Sequence, residues 1–238
     1  MRNTTIMLLI ALTLTLGCSK SDEYQPKKTK KIVETKVAAG EERTLAPMAV
    51  GNQWVYTRQQ GSSKAEITMK VTAVRQTPDG DTDATINIRQ ITAQGAVDES
   101  TIVWLVNDTG IYQSSSADST YDPPQLLVPF PLKKGNEWQE VKQEGIGGRP
   151  YSEAGPYQIR VRVLGTHEVD TDKGRMSAIA IESVTEWETE AGPAASITLS
   201  WWKPGVGFVR QVQEVRTPAG TVKDILKLKS YLFPGRSQ

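Results

Sequence analysis

The chain has 238 residues, with 28 Lys and Arg against 27 Asp and Glu. A charge this balanced gives no electrostatic reason to expect a nucleic acid as partner. One cysteine (Cys18) and one histidine (His167) exclude an intrachain disulfide and the usual His/Cys zinc site, while apolar and charged fractions of 38 % and 23 % are those of a folded protein.

The N-terminus reads as a signal peptide over residues 1–17. Arg2 is a short positive start, and residues 6–16 are apolar apart from Thr13 and Thr15. About 11 apolar residues are too few for a membrane span, which needs about 20. Leu14-Thr15-Leu16-Gly17-Cys18 resembles the bacterial lipobox, although Thr15 stands where that pattern favours Leu. The resemblance implies cleavage after Gly17, diacylglycerol on the Cys18 sulfur and a further acyl chain, of the palmitate type, on the freed amine. Cys18 is thus the expected lipid-attachment residue and membrane lipid the expected partner. More than one chain makes a stable anchor, since a single chain is marginal. Ser19 matches the residue that permits transfer outward in the enterobacterial sorting pattern, which implies an outer membrane and a domain facing the periplasm.

Residues 18–46 carry no apolar periodicity and are rich in Lys, Glu and Thr, so they are expected to form a flexible tether with an end-to-end distance of roughly 30 Å. Lys27-Lys28-Thr29-Lys30-Lys31 reads either as part of a solvated linker or as a contact for anionic headgroups.

From residue 47 to 238 the pattern becomes that of an all-β domain. Ile67, Met69, Val71 and Ala73 alternate with polar residues, as do Ile159, Val161 and Val163, then Ile197, Leu199 and Trp201, then Leu226 and Leu228. Turn residues separate these runs at Pro78-Asp79-Gly80-Asp81, Asn107-Asp108-Thr109-Gly110, Asp172-Lys173-Gly174 and Pro204-Gly205. Two stretches, about 47–113 and 135–216, match in order. Gly51-Asn52-Gln53-Trp54 is echoed by Gly135-Asn136-Glu137-Trp138, and Thr101-Ile102-Val103-Trp104 by Thr198-Leu199-Ser200-Trp201. The pattern points to a duplicated β-meander. The join between the halves cannot be a central strand, because Pro123, Pro124, Pro129 and Pro131 lack ladder donors.

The G-N-x-W-x-Y opening at residues 51–56, the proline-rich run at 124–135 and Trp201-Trp202-Lys203-Pro204-Gly205-Val206-Gly207-Phe208-Val209 resemble a group of exported β-rich bacterial lipoproteins of unknown function. The resemblance implies an envelope protein and no activity. The expected fold is a large curved antiparallel sheet, an open half-barrel or sandwich, similar in shape to periplasmic lipoprotein carriers.

The sequence assigns no catalytic residue, cofactor or metal ligand. His167 precedes Glu168 and Asp170, but no Gly-x-Ser-x-Gly elbow accompanies it. Asp79, Asp81 and Asp83 have the spacing that opens a calcium loop, yet Ala84 and Gln90 stand where that loop needs Gly and Glu. Glu186, Glu188 and Glu190 share a strand face, with Trp187 on the other. Trp201 and Trp202 must point oppositely in a regular strand. One of them is expected to meet solvent, a cavity or a partner, so Trp202 and Trp187 are the candidate binding surface. The leading expectation is a non-catalytic envelope lipoprotein that binds or scaffolds a protein or an apolar ligand. A carrier of an apolar or lipidic molecule and a carboxylate-dependent hydrolase of envelope polysaccharide are the alternatives.

Overall fold

The computed structural model describes residues 42–116, 119–142 and 157–234; the signal peptide, Cys18, Ser19 and the lysine run lie outside them. The described residues form twelve strands, and β1 (Gln53–Gln60) alternates in burial as its sequence does: it hides Trp54, Tyr56 and Arg58 and turns Val55 and Thr57 away. The first six are β1, β2 (Ser63–Gln76), β3 (Thr82–Thr92), β4 (Val97–Val106), β5 (Gly110–Ser116) and β6 (Ser119–Pro129). The second six are β7 (Glu137–Lys142), β8 (Tyr157–Thr171), β9 (Gly174–Thr189), β10 (Gly192–Lys203), β11 (Gly207–Thr217) and β12 (Gly220–Leu232).

All belong to one antiparallel sheet in the order β6-β5-β4-β3-β2-β1-β12-β11-β10-β9-β8-β7. It consists of two six-stranded meanders joined where β1 pairs with β12, from Gln53 opposite Leu232 to Gln60 opposite Asp224. Each meander runs one strand past the sequence match. Among the described residues, the chain-adjacent strands β6 and β7 are the sheet's two edges. Prolines suit β6 to that place, since an edge strand needs donors on one side only.

Curvature follows from one contact. Trp104 on β4 and Trp202 on β10 are six places apart in the sheet, which at about 4.8 Å per strand is roughly 29 Å if flat. Their ring centroids are 5.7 Å apart, so the sheet curls until opposite walls touch. The sheet is not closed into a barrel. Following the pairing register, Trp54, Val71, Ile86, Trp104, Ile181 and Trp202 share this concave face and form its core.

The two meanders open with the same loop. The N–H groups of Gly51 and Gly135 donate to Val71 O and Val163 O, both at 2.9 Å. Those two valines donate back to Asn52 O and Asn136 O, at 2.9 and 3.0 Å. The amides of Asn52 and Asn136 donate to Pro47 O and Pro131 O. Gly51 and Gly135 have φ of 89° and 87°, a conformation that favours glycine.

β11 and β12 part company above Arg210 and Lys227, the last pair of their ladder. Side chains of β1 take over there: Trp54 Nε1 donates to Val206 O at 2.6 Å and Tyr56 Oη to Phe208 O at 2.9 Å. The G-N-x-W-x-Y motif therefore satisfies carbonyls that the ladder leaves behind.

Two expectations need correction. The tether does not run to Ala46, because a 3-10 turn at Glu42–Leu45 is already part of the fold. Thr44 O accepts from Gly205 N at 2.9 Å, the Glu42 carboxylate accepts from Leu132 N at 3.0 Å, and Leu45 is 0 % exposed. Neither member of the tryptophan pair is left for solvent, either. Trp201 and Trp202 do point oppositely, but both are buried. The Arg210 guanidinium lies 5.4 Å over the Trp201 ring and donates to Asp170 O, and Lys173 N donates to Leu228 O. The β8–β9 hairpin tip thus reaches both β11 and β12. Val209, an extra residue in β11, forms the bulge that lets both faces pack here.

Candidate functional site

The sequence candidates do not converge. Trp202 is a core residue whose Nε1 donates to Ser200 Oγ at 3.0 Å and whose ring meets Trp104 and Phe208; it offers no surface. Trp187 is half-buried beside a broad depression near the β9–β10 turn, lined also by Gln158, Glu188 and Arg216. Glu186, Glu188 and Glu190 are exposed on the outer face, and Arg162 pairs with Glu182 at 2.8 Å. His167 is half-buried opposite Ala178, whereas Asp170 pairs with Arg175 on the surface. Asp83 pairs with Arg75, and the Asp81 N–H is held by Thr77 Oγ1. No three potential metal ligands gather among the described residues.

Two features went unnoticed in the sequence. The first is a polar cluster low on the concave face. Arg58 Nε donates to Asp224 Oδ2 at 2.8 Å and Nη1 to Gln90 Oε1 at 2.8 Å, while Nη2 pairs with the same carboxylate oxygen at 2.6 Å. The side chains of Arg58 and Asp224 are only 9 % and 14 % exposed. The available signal was phase, since Arg58 continues the inward series of Trp54 and Tyr56. The cluster fits a pair that neutralises itself in a low-dielectric interior.

The second is a slot of about 440 Å³ between the sheet's ends. Leu105, Tyr112 and Leu126 line one wall, on the face of β4–β6 opposite Trp104 and Val106. Trp138, Ile159 and Val161 line the other, on the concave face of β7–β8. The outer face of one end therefore looks onto the inner face of the other, and the ends pass each other without zipping. The Tyr112 hydroxyl is bonded to Thr109 Oγ1 at 2.7 Å, so the ring is what Tyr112 gives the slot.

No family model matches the chain, and no curated protein matches it. Two solved structures are similar. One is a Bacteroides fragilis protein described as exported and as having a YmcC-like fold, at 15 % identity and TM-score 0.50, covering 78 % of this chain and 97 % of that one. The other is a Parabacteroides distasonis protein described as a lipoprotein, at 12 % identity and TM-score 0.54, covering 79 % of this chain and 98 % of that one. At such identities the likeness is one of fold, and it runs nearly the full length of both relatives.

Proposed function

We propose that the protein is a lipoprotein of the bacterial envelope, held by acyl chains on Cys18 to the outer membrane and facing the periplasm, and that its curved sheet binds or scaffolds without catalysing a reaction. The lipobox-like residues Leu14 to Cys18 support the anchor, and the fold is shared with proteins described as exported or as lipoproteins. The non-catalytic part rests on one observation: His167, the Glu186-Glu188-Glu190 row and the Asp79–Asp83 turn occupy separate places on the sheet. Acid–base chemistry needs such groups within reach of one substrate atom. The six-strand correspondence and the paired Gly-Asn loops support reading the halves as repeats.

The experiment is fractionation of cells producing wild type or Cys18→Ser. Wild type should sediment with outer membranes, and the variant should lose that attachment. Equal retention of the variant contradicts the acyl anchor.

A further inference from the structure

We infer that the slot between the overlapping sheet ends is a binding site for a single uncharged acyl chain. The inference takes the envelope reading for granted only as the source of lipid.

Three observations identify the occupant. The chain is 23 % charged overall, yet none of the ten residues lining the slot is charged. A charged ligand would lose hydration there with nothing to replace it, whereas a hydrocarbon loses none. Secondly, Pro123 and Pro124 stand on the β6 wall. Proline has no N–H, so this wall is poorly suited to an added peptide strand, whose affinity comes from main-chain hydrogen bonds. An acyl chain asks for no hydrogen bonds. Thirdly, about 440 Å³ falls in the range of small-molecule sites.

The topology also supplies a way in. Among the described residues, β6 and β7 are the edges of the sheet and no ladder joins them. The ends can separate to admit a chain without breaking strand pairing, whereas entry between β1 and β12 would break eight paired positions. Trp138 sits on β7 where Trp54 sits on β1, but Trp54 is 3 % exposed and bonded to Val206 O, while Trp138 is only half-buried. At the open seam the second tryptophan is left to cover a ligand.

The test uses the full lipidated protein in vesicles of phosphatidylethanolamine and phosphatidylglycerol containing methyl palmitate, an uncharged ester, with a photoactivatable diazirine in its chain. After illumination, cross-linked peptides are mapped by mass spectrometry. Labels are expected on peptides holding Leu126, Trp138 and Ile159. Leu126→Glu, which sets a charge in the slot, should cut labelling there about tenfold. Gln139→Trp should do the same by crowding the mouth. Gln139 is exposed, so this second variant keeps the core intact should the first fail to fold. Leu232→Glu, at a residue 54 % exposed elsewhere, should change nothing. Undiminished slot labelling in a Gln139→Trp protein that melts like wild type overturns the inference, as does labelling confined to Val50, Val97 and Leu232. A protein that washes off the vesicles instead contradicts the anchor.

Discussion

Tyr56→Phe removes one oxygen and tests how the sheet is held where β11 and β12 separate. Tyr56 is 1 % exposed, and its hydroxyl is bonded to Phe208 O at 2.9 Å. The ladder of β11 with β12 starts only at Arg210, so the variant strands a buried carbonyl. That should cost about 1–3 kcal/mol. For a domain of this size each kcal/mol lowers the melting temperature by about 2–4 °C, so a fall of roughly 2–12 °C is expected. Burial also pushes the Tyr56 phenol well above its ordinary value of 10.0. The unfolded chain therefore releases this proton near pH 10 while the folded chain keeps it, and stability falls as pH rises above that point. The slope from this one group is about 1.4 kcal/mol per pH unit. Urea denaturation followed by tryptophan fluorescence, at pH 7 and at steps above pH 10, reads both effects. The variant should be weaker at pH 7 and should lose this part of the alkaline slope. A stability within about 0.5 kcal/mol of wild type at pH 7, with an unchanged alkaline slope, would refute the role given to the hydroxyl.

Arg58→Met leaves Asp224 buried without its cation and should cost about 3 kcal/mol or more by urea denaturation. Adding Asp224→Leu should recover most of that loss, and failure to recover any would show that the pair does not act as a unit. Gly110→Ala would place a Cβ 2.4 Å from Val128 O, a backbone atom. It should destabilise by at least about 2 kcal/mol in a thermal melt, and a melt like wild type would count against the β5–β6 pairing.

Alternation made much of this fold legible. The inward row of β12 stands in the sequence as it stands in the sheet, that of β2 does so as far as Val71, after which a bulge turns Ala73 outward and Val74 inward, and the prolines of β6 mark an edge before any neighbour is known. The paired Gly-Asn loops are also visible as sequence, because each glycine's positive φ and each asparagine's bond to a proline carbonyl depend on those residue types. The overlap of the sheet ends was not legible. Curl accumulates over twelve strands, and no local pattern records how far it goes. The burial of Trp202 is not legible because strand parity says which way a side chain points but not what covers it, and the cover comes from Phe208 across the β10–β11 turn and from Trp104, distant in sequence. Glu42–Leu45 reads as tether in the sequence because four residues carry no period. Arg58 escaped notice for a different reason: a charge in an inward position looks like a break in the pattern until Asp224 and Gln90 are found beside it.

The central claim is attachment through Cys18. Intact and peptide mass spectrometry of the protein extracted from membranes tests it most directly. The account predicts a mature chain that begins at Cys18 and carries the mass of diacylglycerol, with a further acyl chain on its amine. A chain that retains Met1, begins at another residue, or begins at Cys18 with an unmodified thiol would contradict it.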